Sequence, residues 1–87
     1  MLRVHKVLHH KNYVLYVELN NGSKGYFDLS PYLDKGIFVQ LKDMGYLKTV
    51  KPDSCGIYWP KGQDFSADTI EYEMQKGARD DSRYVRD

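Results

Sequence analysis

A single cysteine among 87 residues excludes an internal disulfide and any zinc site built on cysteine thiolates. A lone thiol fits a reducing cytoplasm, which is the expected location. Long apolar runs are also missing, so nothing approaches the ~20 residues a membrane-spanning helix needs. The opening Met1-Leu2-Arg3-Val4-His5-Lys6 is followed by no apolar stretch of signal-peptide length, and no leader is expected. Charge of one sign is absent too. Thirteen Lys and Arg stand against twelve Asp and Glu, a formal charge of +1, which removes any global drive toward nucleic acid or an anionic membrane. Internal repeats and low-complexity linkers are lacking.

What is present is a globular composition, 41% hydrophobic and 29% charged, in a chain long enough for one domain and not two. Residues 1–76 are expected to form that domain. Residues 77–87 are charged, sparse in apolar side chains and expected to be a flexible tail. Eight of the twelve aromatics are Tyr, a residue whose ring packs while its hydroxyl stays wet. Charge is unevenly placed: Arg3, Lys6, Lys11 and three His precede the first acid, whereas Asp64, Asp68, Glu71 and Glu73 cluster. Isolated surface charges are energetically quiet, so this layout reads first as solvated surface.

The stretch Cys55 to Asp64 organises the rest. Cys55, Ile57 and Trp59 are spaced by two, which predicts one buried face of a strand with the indole in the core and the thiol packed beside it. Pro60 cannot donate to a ladder and Gly62 suits a tight reversal, so the strand should stop at Trp59. Asp64 is expected to accept loop amides and brace the bend into the next element.

Upstream, residues 2–9 have strand composition with poor alternation, and residues 13–19 alternate clearly. The loop at Asn20-Asn21-Gly22 can be decided by register. Three residues with Gly22 left-handed pair Glu18 with Lys24, Tyr16 with Tyr26 and Leu15 with Phe27. That register sends Leu15, Val17, Leu19 and Phe27 inward, and leaves Val14, Tyr16, Glu18, Lys24, Tyr26 and Asp28 on the other face. Ser30-Pro31 reads as an N-cap and first helical position, ended by Gly36; residues 37–43 read as a second short helix. Residues 46–51 alternate as a strand, and Lys51-Pro52-Asp53-Ser54 reads as a type I turn returning into Cys55 to Trp59, a second hairpin. Ser66 is a plausible N-cap, with Phe65 and Ile70 as a hydrophobic staple. Residues 67–76 read as helix, with strand left open, and Gly77 would end the helix.

No catalytic constellation emerges. His9 and His10 are adjacent and would point to opposite faces of a strand, which argues against a shared metal with His5. Trp59-Pro60-Lys61-Gly62 lacks the spacing of a phosphate-binding loop, and Asp64, Asp68 and Glu71 match no calcium-loop pattern. Tyr16, Tyr26 and Tyr58 are candidates for one outer face with basic neighbours, either a protein-binding surface or a face covered by the short helices.

Val4, Leu15, Asn21-Gly22, Phe27-Asp28-Leu29, Leu41, Val50 and above all Trp59-Pro60-x-Gly62-x-Asp64 resemble the bacterial family of domains of unknown function DUF2442, over about residues 3–74. Lys61 stands where that family usually has Asn, and Ser23 where it often has an acid. The resemblance implies an α+β domain of antiparallel strands and short helices, without an established activity or transferable catalytic residue. It also implies that some relatives are fused to a helix-turn-helix domain and that others form one half of a toxin-antitoxin-like gene pair.

The expectation is therefore an α+β fold of two antiparallel hairpins, an N-terminal strand and short helices. Its function would be that of a non-enzymatic interaction module, antitoxin-like, without cofactor, metal or membrane. The expected partner is a small protein encoded nearby, bound through Tyr16, Tyr26, Tyr58 and Tyr84, with Trp59, Pro60, Gly62 and Asp64 as structural signature. Nucleic-acid binding through the basic N-terminal strand and the tyrosines is the alternative, and self-association is left open.

Overall fold

The computed structural model describes residues 1–75. Strands β1 (Val4–Lys11), β2 (Val14–Leu19) and β3 (Lys24–Asp28) form one antiparallel sheet in that order. Strands β4 (Lys51–Pro52), β5 (Gly56–Tyr58) and β6 (Asp64–Ser66) form a second, also antiparallel. Between the sheets run two 3₁₀ segments, Ser30–Tyr32 and Gly36–Lys42, and one turn of α-helix, α1 (Met44–Leu47). A second helix, α2, covers residues 67–75. This is the expected α+β architecture. The expected tail, the helix stop at Gly77 and Tyr84 lie outside the described residues.

The register of β2 and β3 follows from matching like with like. Leu15 lies opposite Phe27, Tyr16 opposite Tyr26 and Glu18 opposite Lys24. The loop is Asn20-Asn21-Gly22, closed by Leu19 N–H donating to the Ser23 carbonyl at 2.8 Å, with Gly22 at φ 91°. Leu15, Val17, Leu19 and Phe27 are buried as this register requires.

Strand β1 explains its own poor alternation. Its pairing with β2 slips between Val4 and Lys6 and again between His9 and Lys11, so two bulges break the period of two. Between the bulges Val7 lies opposite the buried Val17, and Leu8 lies opposite Tyr16 on the outer side.

The β5–β6 hairpin repeats the first loop's geometry on different chemistry. Trp59 N–H donates to the Gln63 carbonyl at 2.9 Å, Gly62 N–H donates to the Trp59 carbonyl at 3.1 Å, and Gly62 sits at φ 105°. The strand stops at Tyr58 and Trp59 is 1% exposed, its indole N–H bonded to the Leu47 carbonyl at 2.9 Å. Phe65 is the hub of the aromatic core. It meets Phe27 edge-on at 5.0 Å, Tyr32 at 4.9 Å, Phe38 in a stack at 5.0 Å and Trp59 at 6.1 Å.

Four local expectations are corrected. Residues 46–51 are not a strand: the Asp43 carboxylate accepts the Gly45 N–H at 3.0 Å and starts α1, leaving only Lys51–Pro52 extended. That cap outweighs the alternation. The following turn is shifted two residues on, because Asp53 Oδ1 accepts the N–H groups of both Cys55 and Gly56 at 2.8 Å while Asp53 N–H bonds the Gly56 carbonyl. Cys55 therefore sits in the turn, ahead of the strand, and its side chain is exposed instead of packed. Ser30 is not an N-cap; it lies inside the 3₁₀ segment, and its N–H is taken by Asp28 Oδ1 at 2.9 Å.

Residues 67–75 are helix. Ser66 Oγ accepts the Thr69 N–H at 3.1 Å, and the staple residues Phe65 and Ile70 are both buried. The helix lies against the β2–β3 hairpin, tied by Asn21 Nδ2 donating to Glu71 Oε2 at 2.9 Å and by Met74 beside Gly25.

Candidate interaction face

The core side of the first sheet is filled by the second sheet's apolar side chains, by α2 and by the connecting segments. The other side carries no such layer among the described residues. On it the β1–β2–β3 register places Lys6 opposite Glu18, Leu8 opposite Tyr16 and Lys11 opposite Val14, then Tyr16 opposite Tyr26 and Glu18 opposite Lys24. Leu8 is 49% and Tyr26 56% exposed, so the centre of this face is apolar and open to solvent. The His10 ring packs on Tyr26 at 4.6 Å between centroids, and Tyr26 meets Tyr16 at 5.7 Å. The three rings and Leu8 form one continuous strip across the three strands.

Electrostatics on the face centres on Glu18. The Tyr16 hydroxyl donates to Glu18 Oε2 at 2.6 Å. That bond holds the carboxyl below its ordinary range, against the opposing cost of burial and with help from Lys6, Lys24 and His5. The same bond pushes the Tyr16 phenol up, since ionising it would place two anions together. At the turn end, a depression of about 400 Å³ is lined by His5, Glu18, Asn20, Ser23 and Lys24. It is shallow and mixed in lining, Leu19 included, with Asn20 already accepting the Arg3 N–H and donating to the Met1 carbonyl.

Of the tyrosines singled out, Tyr16 and Tyr26 are brought together. Tyr58 lies on the second sheet, opposite Lys51 and Asp64, and its ring makes no pair with either. The histidines are apart in role: His9 Nε2 lies 2.9 Å from the Asn12 carbonyl oxygen, the His10 ring packs tilted against Tyr26, and His5 lines the depression. Among the described residues no three His, Cys, Asp or Glu converge as metal ligands. Nor is any described helix long and apolar enough to cross a membrane.

The signature string has structural work of another kind than expected for Asp64. Asp64 is exposed in β6, opposite Tyr58, and lines a small hollow of about 110 Å³ with Asp53, Cys55 and Ser66. The bend is braced instead by Gln63, the one buried polar side chain among the described residues. Its Oε1 accepts the Tyr46 hydroxyl at 2.6 Å, and its Nε2 donates to the Ile37 carbonyl at 2.8 Å and to Gln40 Oε1 at 2.6 Å. The Tyr46 hydroxyl also accepts the Lys61 N–H at 2.9 Å. One amide thus ties the loop to the second 3₁₀ segment and to α1. Sequence reading missed it because an isolated Gln beside a turn carries no burial signal; only its position one residue after the left-handed Gly62 hints that it must return inward.

Comparison with curated proteins and with solved structures gives no match. A family model described as a protein of unknown function, DUF2442, matches residues 4–75, nearly all of the described fold, and the chain belongs to that family.

Proposed function

We propose that the chain is a non-enzymatic protein-interaction module, and that it serves as the antitoxin-like member of a bacterial two-gene pair in the cytoplasm. The observation that carries the reading is the uncovered outer face of the first sheet, where Leu8, His10 and Tyr26 are exposed to water beside the half-buried Tyr16. Aromatic side chains with wet hydroxyls are enriched at protein interfaces and lose little conformational entropy when covered. The toxin-antitoxin assignment draws on the family resemblance, and the interaction module draws on the face.

The nucleic-acid reading rests on the same tyrosines with Lys6, Lys11 and Lys24 around them. Two carboxylates on that face, Glu18 and Asp28, oppose phosphate, and Leu8 and Val14 offer no stacking plane. Protein is therefore the favoured occupant.

The test is co-expression of the chain with the product of each adjacent gene, followed by size-exclusion chromatography and calorimetry. A one-to-one or two-to-one complex that Tyr26→Ala with Leu8→Ala weakens, while circular dichroism stays unchanged, is the expected result. Absence of any complex, together with an unaltered phenotype on deleting residues 77–87, removes the reading.

A further inference from the structure

We propose that a second copy of this chain pairs with β3, edge to edge and antiparallel, so that the first sheets of two molecules join into one. The proposal rests on the free edge of that strand and stands apart from the interaction reading above. The end strands of the two sheets differ in how their edges are guarded. β1 is broken by two bulges, β4 is two residues long and contains Pro52, and β6 is three residues long. β3 has five residues, no register shift and no proline. Among the described strands and 3₁₀ segments only β2 runs along it, and α2 reaches it on the core face, where Met74 lies beside Gly25.

Hydrogen bonding within the β2–β3 hairpin fixes which backbone groups face outward. At the turn end Leu19 N–H donates to the Ser23 carbonyl, and at the open end Leu29 N–H donates to the Tyr13 carbonyl. The odd-numbered residues therefore bond across the hairpin, and alternation turns the N–H and C=O groups of Lys24, Tyr26 and Asp28 away from β2. Among the described residues no turn, loop or side-chain bond takes up those of Lys24 or Tyr26. A two-fold axis at Tyr26 sets Tyr26 against its own copy and Lys24 against Asp28 of the second copy, each pair joining residues whose backbone groups already point outward. The same register brings opposite charges together at both ends, on the exposed outer face. One Asp28 oxygen accepts the Ser30 N–H, which leaves the other for the ammonium. On the core face Gly25 falls opposite Phe27, so two large side chains do not compete there. Other registers that use the same outward groups set Lys24 opposite Tyr26, set Tyr26 opposite Asp28, or oppose like charges, and all of them pair fewer residues of the strand. Pairing through Tyr26 also continues the row of Leu8, Tyr16 and Tyr26 into the same row of the second copy.

The experiment is sedimentation velocity of the full chain between about 5 and 500 μM, a range suited to a small interface. The expected result is a dimer that grows with concentration, together with hydrogen-exchange protection of the Tyr26 amide that grows in step with it. Lys24→Asp and Asp28→Lys, each alone, oppose like charges at both ends and should weaken the dimer at least ~10-fold. Mixing the two variants restores opposite charges at both ends and should return the dimer as a heterodimer. Circular dichroism shows whether each variant is folded. Tyr26→Pro removes the central outward N–H at an edge position that tolerates proline, keeps both charges, and should leave a folded monomer. It stands in if a charge variant fails to fold. A monomer of the parent chain across the whole range overturns the proposal. So does a dimer that the folded variants leave intact, or one that mixing the charge variants does not restore. Tyr26 amide protection independent of concentration assigns the edge to another segment of the same chain and also overturns it.

Discussion

Replacing Gln63 by Leu isolates what one amide contributes to this fold. The substitution places an apolar side chain of similar length in a site that is 0% exposed, and it removes three hydrogen bonds, to Tyr46, Ile37 and Gln40, of 2.6, 2.8 and 2.6 Å. A net neutral hydrogen bond contributes about 0.5–1.5 kcal/mol, and a buried group left without a partner costs about 1–3 kcal/mol. The Gln40 side chain is exposed and recovers water, whereas Tyr46 is half-buried and recovers it in part. The loss is therefore set at about 2–4 kcal/mol, a large share of the roughly 4–13 kcal/mol expected for a domain of this size. Urea denaturation followed by tryptophan fluorescence reads it directly, since Trp59 closes the same loop and its environment reports unfolding. Gln63→Glu adds a sign test. Its second oxygen would face the Ile37 carbonyl and the Gln40 oxygen, so the folded state raises that carboxyl's pKa, and the variant's stability is present at about pH 4 and lost as pH rises toward neutral. A Leu variant within about 0.5 kcal/mol of the parent, or a Glu variant insensitive to pH over that range, refutes the bracing role.

Trp59→Ala should cost about 3–5 kcal/mol through the cavity and the lost bond to Leu47, measured as a shift in urea midpoint. Gly56→Ala should be more damaging than a mid-strand glycine change ordinarily is. A Cβ there would lie 2.0 Å from the Phe65 carbonyl oxygen, so β5 and β6 would have to separate, and loss of the cooperative thermal transition is expected. Cys55→Ser should leave the urea midpoint unchanged, and the native thiol should react with a colorimetric disulfide reagent as fast as it does in denaturant. Slow native reaction would put the side chain back in the core. Glu18→Gln should flatten the acid limb of the stability profile. Glu18 is held below its ordinary range when folded, so its contribution is present above the unfolded pKa and is lost as pH falls below about 4.

The first sheet was legible because its chemistry is local. Alternation in residues 14–19 and the demand that Glu18 meet Lys24 leave one acceptable register, and that register decides which tyrosines face outward. The second sheet was less legible because its short strands, of two and three residues, are placed by hydrogen bonds from side chains. Asp53 captures two amides and moves Cys55 out of line, and Asp43 caps a helix inside an alternating stretch. A period of two cannot reveal either event. The outer face, with Tyr16 and Tyr26 in tilted contact, followed from register; the exclusion of Tyr58 from it did not, since it depends on how separate sheets pack.

The two loops that end in a left-handed glycine show how the molecule divides its labour. Both close with the same pair of backbone bonds, yet after Gly22 the chain continues into Ser23 and Lys24 beside an open depression, and after Gly62 it continues into a buried amide. Trp59 and Gly62 in the Trp-Pro-x-Gly-x-Asp string serve the second arrangement, so their job is to build the core on which the first sheet rests. Under the proposed role a substitution there acts on binding only through folding and should lower affinity and stability together. A substitution at Leu8 or Tyr26, where the side chain meets water, should lower affinity with the urea midpoint little changed. Under the proposed interaction role that separation would let the exposed strip be tuned to a partner without disturbing the residues that hold the fold.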